Sequence, residues 1–179
     1  MQVTFEQYVS TDAEHLIDFI TSDTWPYFVY PRPSRELVQQ WIDEGSYNGD
    51  ANRVFWVLVD DQRAGILRLH DLDDDTPMID IRLHSAYRRQ GIGEQALRWC
   101  TGYVFTTMPN VTRFEGQTRQ DNIAMRKLFR RCGFVKEAHY RQAWPGAEDT
   151  MFDGISYGIL RQDWAEQKVT PVHWNDEPT

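Results

Sequence analysis

Residues 86–99 read AYRRQGIGEQALRW, in which two arginines and a glutamine precede two glycines separated by one residue. Glycines allow the backbone N–H groups of a tight turn to approach a ligand closely, and N–H groups at a helix start attract anions. Arg88 and Arg89 add formal positive charge at the same place. The stretch predicts a loop that binds phosphate or pyrophosphate, and the alternative is a plain helix start with solvated arginines.

The same glycines invite a second interpretation, a nicotinamide-binding domain. Gly91, Gly93 and Ala96 fit the pattern G-x-G-x-x-A, and Glu115 lies near the distance expected for a ribose-binding acid. That domain requires a strand that runs directly into the first glycine, followed by repeated βαβ units. The predicted strand ends near Leu83, and the segments before it read as helices and antiparallel strands, so this context argues against the nicotinamide interpretation.

Hydrophobic periodicity predicts one domain of seven strands and four helices in a chain of 179 residues. The predicted strands are about 3–9, 53–59, 64–69, 78–83, 112–118, 134–144 and 151–160. The predicted helices start after Thr11 or Asp12, start after Ser34, and span about 89–107 and 121–132. Residues 166–179 show no pattern, and we expect them to form a loosely ordered tail.

Composition narrows the classes of function. The formal net charge of −8 disfavours nucleic acid as a partner, because phosphate neutralisation needs clustered lysines and arginines. The two cysteines, Cys100 and Cys132, lack C-x-x-C spacing, so we expect neither a metal site nor a disulfide framework, and a cytoplasmic location. The polar, acidic N-terminus and the lack of long apolar runs predict neither a signal peptide nor a membrane span.

Two motifs together carry a family resemblance. RRQGIG has the form R-x-x-G-x-G, and DNIAMRKLFRRCGF follows about thirty residues later at 121–134. Together they resemble the acetyl-CoA loop and the next helix of the GNAT family of N-acetyltransferases, over about residues 50–165. The matching positions in the second motif are Asn122, Ala124, Leu128, Phe129, Gly133 and Phe134. The segment DGISYGILRQDW at 153–164 also resembles the branch that acetylates protein N-termini, including those of ribosomal proteins.

The resemblance implies an α/β (α+β) fold with a mixed, mostly antiparallel sheet of about seven strands and helices on both faces. Its central parallel pair, residues 78–83 and 112–118, is expected to splay so that the pantetheine arm of acetyl-CoA fills the gap. No metal is implied. The residues implied in acetyl-CoA binding are Ile81, Leu83, Arg88, Arg89, Gln90, Gly91, Ile92, Gly93, Asn122 and Phe129.

The implied chemistry is direct attack of a neutral amine on the thioester. A base must take a proton from the amine, and a backbone N–H near Leu83 is the expected donor to the oxyanion. The candidate bases are Glu115, Asp80 and His84. Phe129 stands where many relatives carry a tyrosine that protonates the departing thiolate, so this chain lacks that donor.

The acceptor remains open between two amines. The C-terminal resemblance favours a protein or peptide α-amine, whereas the overall acidity favours a small cation such as a polyamine or an aminoglycoside-like molecule. A non-catalytic acyl-CoA-binding module and a homodimer are further alternatives. Aromatic residues expected to wall the acceptor site are Trp25, Tyr27, Tyr30 and Tyr140.

Overall fold

The computed structural model describes residues 1–146 and 149–175, and its centre is a seven-stranded mixed sheet. The strands are β1 (Val3–Gln7), β2 (Arg53–Val59), β3 (Gln62–His70), β4 (Met78–Leu83), β5 (Arg113–Arg119), β6 (Val135–Pro145) and β7 (Met151–Leu160). Their order across the sheet is β1-β2-β3-β4-β5-β7-β6. The expected strand number is therefore confirmed.

Helices cover both faces of this sheet. They are α1 (Ala13–Thr21), α2 (Arg35–Asp43), α3 (Ile92–Thr107), α4 (Ile123–Arg131) and α5 (Arg161–Glu166). The apolar sides of α1 and α2 pack against Trp56 and Ile66 on one face of the sheet. Helices α3 and α4 pack against Leu67 and Ile79 on the other face, because alternate residues of a strand point to opposite sides.

The centre of the sheet is its weakest junction. Strands β4 and β5 run parallel and pair only at Met78 with Glu115, whereas every other neighbouring pair of strands is antiparallel and longer. Beyond Met78 the two strands diverge, so their C-terminal halves leave a gap. This is the splayed parallel pair that the resemblance implied.

Local sequence signals fix two helix starts. The Ser34 hydroxyl accepts a hydrogen bond from the Leu37 N–H at 3.2 Å, which is the predicted cap of α2. Helix α3 begins at Ile92 rather than near Arg89, because Arg89 and Gly91 both take left-handed backbone angles, with φ of 61° and 80°. Two left-handed residues interrupt the regular hydrogen-bonding pattern, so the preceding segment is a loop.

The C-terminal segment contains a short helix that the sequence did not predict, α5. Asp163 within it is buried and accepts hydrogen bonds from the backbone N–H and the hydroxyl of Thr170. The Lys136 ammonium lies 5.2 Å from the Trp174 ring centroid. Residues 147–148, within the predicted turn after Pro145, and residues 176–179, within the predicted tail, lie outside the described part.

Candidate active site

The loop before α3 forms a concave array of backbone donors. Within the described chain, no carbonyl or side chain accepts a hydrogen bond from the N–H groups of residues 89–93. Left-handed backbone angles at Arg89 and Gly91 are typical of anion-binding turns, and the helix start adds a positive dipole end. The Gln90 side-chain amide donates to the Ala86 carbonyl at 2.8 Å and so links the loop to the preceding turn. We call this loop, residues 89–93, the nest.

The gap between β4 and β5 begins where their pairing stops. The His84 N–H donates to the Ala64 carbonyl on β3 at 2.9 Å. Backbone groups of successive residues in an antiparallel strand alternate between its two neighbours, so Ile81 and Leu83 direct theirs toward β5. Pairing with β5 has already ended at Met78, and both N–H groups therefore face the gap.

Arg88 points away from the nest. Its Nε donates to the Leu83 carbonyl at 2.8 Å, and its Nη2 lies 3.3 Å from Asp23 Oδ2 and 3.2 Å from the Thr24 carbonyl. The resemblance implied that residues 88–93 wrap the pyrophosphate, and this stays a prediction. In the structure the Arg88 guanidinium fastens the end of β4 to the α1–α2 connection.

Asp23 anchors the same junction, a role that sequence reasoning did not predict. Its carboxylate also accepts a hydrogen bond from the Ser85 backbone N–H at 2.5 Å. Partial burial alone would raise the pKa of Asp23. The hydrogen bonds from the Ser85 and Thr24 backbones and the charge of Arg88 outweigh burial and hold that pKa below its ordinary value.

The two remaining residues of the implied acetyl-CoA site differ in placement. Asn122 caps α4 by accepting from the Met125 N–H at 3.2 Å, and its amide donates to the Thr118 hydroxyl at 3.0 Å. Phe129 is fully buried, with its ring stacked on Tyr157 at a centroid distance of 5.0 Å. The Phe129 ring therefore belongs to the core between α4 and the sheet.

A cavity of about 260 Å³ occupies the gap, and we call it the strand-gap cavity. Ile79 and Ile81 reach it from the α3 side of the sheet, whereas Asp80 reaches it from the α1 side, so the cavity joins both faces. Its lining comprises Tyr27, Phe28, His70, Met78, Ile79, Asp80, Ile81, Gln117, Thr118, Asn122, Met125 and Trp144.

A second cavity, also about 260 Å³, lies beside it under the α1–α2 connection, and we call it the arginine cavity. It is lined by Phe28, Val29, Tyr30, Trp41, Ser46, Tyr47, Arg68, Asp80 and Arg82. Phe28 and Asp80 line both cavities and form the wall between them.

The three candidate bases are not brought together. Asp80 alone lines the cavities; the Glu115 carboxylate accepts from Arg113 Nη2 at 2.6 Å, and the same guanidinium contacts Glu137. Burial, with help from Glu137 and two aspartates of the 71–75 turn, raises the pKa of Glu115 despite Arg113. The His84 ring lies beyond the end of β4, where Nδ1 accepts from the Ala86 N–H at 3.3 Å.

The aromatic residues expected around the acceptor also separate. Tyr27 lines the strand-gap cavity and Tyr30 lines the arginine cavity. Trp25 is buried in the core, where its indole N–H donates to the Ile20 carbonyl at 2.7 Å. Tyr140 on β6 is 45% exposed and lines neither cavity.

Two arginines of the site, Arg68 and Arg82, were not predicted. The alternation of β4 does place Asp80 and Arg82 on the same face, and the register sets Arg68 directly opposite Asp80. Charged residues on one face of a strand usually indicate a solvated face. What the sequence could not show is that α1, α2 and their connection cover these three side chains.

Comparison with known proteins decides the family. A model described as an acetyltransferase (GNAT) domain matches residues 2–135. The chain belongs to the GNAT family of acetyltransferases. It is therefore an acetyl-CoA-dependent N-acetyltransferase, and the strands and loop described above form the GNAT acyl-CoA N-acyltransferase fold. No curated protein sequence matches this GNAT chain significantly.

Solved structures agree in fold. A probable acetyltransferase is 19% identical, covers 90% of this chain and 94% of its own, and has a TM-score of 0.74. RimL, a ribosomal L7/L12 α-N-protein acetyltransferase in complex with coenzyme A, is 18% identical, with coverages of 89% and 94% and a TM-score of 0.78. A spermidine N-acetyltransferase from Vibrio cholerae, in complex with CoA and spermine, is 18% identical, with coverages of 92% and 98% and a TM-score of 0.78.

Two negative findings concern the described part of the chain. None of its helices combines the length and the apolar character needed to cross a lipid bilayer. Within residues 1–146 and 149–175, no three histidine, cysteine, aspartate or glutamate side chains are grouped to hold a metal ion.

Proposed function

We propose that the protein transfers the acetyl group of acetyl-CoA to the α-amine of a protein or peptide N-terminus. The observation that carries this proposal is the lining of the strand-gap cavity, in which Asp80 is the only carboxylate among the described residues and the others are aromatic, aliphatic, amide, hydroxyl or imidazole side chains. One carboxylate suits an acceptor with one amine. A polyamine brings several ammonium groups, and each requires its own carboxylate when it leaves water.

The same geometry supports a position for acetyl-CoA. The nest supplies backbone donors and a helix start for the diphosphate, without a contribution from the Arg88 guanidinium. The N–H groups of Ile81 and Leu83 face the gap, where that of Ile81 can pair with an amide carbonyl of the pantetheine arm. Asn122 borders this path at the start of α4. Acetyl-CoA supplies the thioester that the amine attacks.

Asp80 is the base in this proposal, since it is the one candidate at the cavities. An α-amine has an ordinary pKa of about 7.7 to 8.0, so a substantial fraction is already neutral at physiological pH. The Asp80 carboxylate accepts a proton from the amine, directly or through one water. The Leu83 N–H donates to the oxygen on which negative charge develops. Phe129 has no hydroxyl to donate a proton and is buried, so the thiolate leaves without a tyrosine donor.

The test is release of free thiol from acetyl-CoA in the presence of matched acceptors. We would compare a lysine-free peptide with a free N-terminus, the same peptide with a blocked N-terminus, and spermidine. Release with the free peptide alone supports the proposal. Acetylation of spermidine but not of the peptide would assign a small cationic acceptor instead. Tight acetyl-CoA binding without thiol release from any amine would indicate a non-catalytic binding module.

A further inference from the structure

The arginine cavity contains positive charge that the proposed acetyl transfer does not use. The Arg82 side chain is only 9% exposed, and within the described chain its Nε and Nη1 have no hydrogen-bond partner. The nearest carboxylate oxygen, Asp80 Oδ2, lies 3.9 Å from Nε, which is too long for a hydrogen bond. A buried guanidinium with unpaired donors is unfavourable unless a ligand completes its hydrogen bonds.

A second guanidinium, that of Arg68, adds to the positive charge and the unpaired donors of the arginine cavity. Arg68 lies opposite Asp80 in the β3–β4 register, and its Nη2 donates to the Asn52 side chain at 3.1 Å. Its buried Nε has no partner among the described residues. Tyr47 and Ser46 contribute neutral hydroxyls, and burial keeps the Tyr47 pKa above its ordinary value. Two guanidinium groups thus face one carboxylate, a formal surplus of one positive charge.

Aromatic rings hold Arg82 in position. Its Cζ lies 3.9 Å from the Phe28 ring centroid and 5.7 Å from that of Trp25. Guanidinium–aromatic contact fixes the side chain while its N–H groups remain able to bind an anion in the guanidinium plane. This arrangement suits a planar, bidentate acceptor, and a carboxylate is such a group.

We propose that the arginine cavity binds a carboxylate of the acceptor, so that the enzyme prefers acceptors with an acidic group close to the reacting amine. This inference rests on the proposed function, because it takes the amine to lie beside Asp80. Asp80 Oδ2 lies 3.9 Å from Arg82 Nε, so an amine at Asp80 and a carboxylate on Arg82 lie close together. An amine and a carboxylate within the first residues of a peptide can lie that close. Phe28 and Asp80, which line both cavities, mark where the two adjoin.

Peptides with amidated C-termini test the proposal, because a single Asp, moved through the first three positions, is then their only carboxylate. Each peptide is paired with the same sequence carrying Asn. For at least one position we expect kcat/KM to favour Asp by about ten- to a hundredfold, the range of a charge-assisted hydrogen bond. A separate arm uses free amino acids and their amides, to separate a side-chain carboxylate from an α-carboxylate.

Arg82→Met retains length and apolar bulk but removes the donors. We expect the Asp-to-Asn ratio of kcat/KM to fall to within about threefold of unity in Arg82→Met, and to fall partly in Arg68→Met. Arg63→Met is the matched control. Arg63 lies on β3, as Arg68 does, but it pairs with Asp12 and lines neither cavity. This control should retain the preference. Circular dichroism and acetyl-CoA titration establish that each variant is folded.

Three outcomes would overturn the carboxylate site. Equal acetylation of Asp and Asn peptides by the wild-type protein would refute it and leave the proposed α-amine transfer intact. An unchanged ratio in folded Arg82→Met would show that the preference arises elsewhere. Acetylation of spermidine with no reaction of any peptide or amino acid would refute the proposed function and this inference together.

Discussion

The Asp80 side chain lies between the two cavities and lines both of them. It borders the strand-gap cavity, where the amine is proposed to react, and it lies 3.9 Å from Arg82 in the arginine cavity. Asp80 was one of three acidic or basic candidates in the sequence, and periodicity alone could not choose among them, because all three lie on or beside the central strands.

Asp80→Asn is expected to lower kcat by about 10² to 10⁴, since the amide cannot accept the amine proton. The affinity for acetyl-CoA, measured by calorimetric titration, should stay within about threefold because the nest and the gap are unchanged. Asp74→Asn in the exposed acidic turn is the control and should retain full activity. A kcat close to the wild-type value in Asp80→Asn would remove Asp80 as the base.

Glu115 is expected to be structural, since it lines neither cavity and shares Arg113 with Glu137. Its raised pKa means that its ionised form is less stable in the folded protein than in the unfolded chain. Glu115→Gln should therefore raise the melting temperature at neutral pH. The gain should be absent well below the ordinary value of 4.5 and develop as pH rises through the folded pKa. Acetylation at one tenth of the wild-type rate or less would contradict this assignment.

The sequence of the nest predicted its backbone, but the sequence of the loop did not predict the direction of the neighbouring Arg88 side chain. The glycine spacing of 91 and 93 predicts close backbone approach at a helix start, and the N–H groups of residues 89–93 are arranged accordingly. The direction of Arg88 was not predictable, because its partners Asp23 and Thr24 precede it by more than sixty residues. The glycine spacing thus predicted the backbone loop of the site, whereas tertiary contacts determine the direction of the Arg88 side chain.

Gly91 offers a matched pair of substitutions at the nest. Its φ of 80° is left-handed, and a Cβ built there meets no atom within 4 Å. Asp and Asn both tolerate this conformation and have nearly the same size, but only Asp adds a negative charge. Gly91→Asp should weaken acetyl-CoA binding by about tenfold relative to Gly91→Asn, and the difference should shrink in high salt. Calorimetric titration of both variants at two salt concentrations measures this; equal affinities would place the diphosphate elsewhere.

At the scale of the whole molecule, the hydrophobic periodicity of the sequence predicted the seven strands and four of the five α-helices of the described chain. The short helix α5 escaped prediction, since it has six residues and only one buried side chain, Asp163. The arginine cavity escaped because it depends on how α1, α2 and their connection lie over β3 and β4. The position of these helices over the sheet depends on tertiary packing, which local sequence patterns do not show.

Asp23 connects the two halves of the candidate site, and its substitution tests that connection. Asp23→Asn is expected to lower the free energy of unfolding at pH 7 by about 1–2 kcal/mol, through weaker hydrogen bonds from Ser85 and Arg88. The pKa of Asp23 is lowered on folding, so its contribution is complete above the ordinary value of 3.8 and disappears as pH falls through the folded pKa.

Denaturant unfolding at a series of pH values checks this expectation, with Asp43→Asn at the exposed end of α2 as the control. The difference between Asp23→Asn and wild type should be constant near neutral pH and shrink in acid. A deficit that is the same at every pH would mean that the Asp23 charge contributes nothing to the junction.

The single residue pair between β4 and β5 makes this junction the one with the fewest backbone hydrogen bonds in the described sheet, although one hydrophobic core packs across it. Strands β1–β4 form one antiparallel unit and β5–β7 the other, each with its own ladder of hydrogen bonds. A ligand seated between them binds the native arrangement and not the unfolded chain, so it stabilises the protein by mass action, by about 2.7 kcal/mol at one hundred times its dissociation constant. The concentration of the acetyl donor is therefore expected to set how often the chain unfolds, and with it the susceptibility of the enzyme to proteolysis.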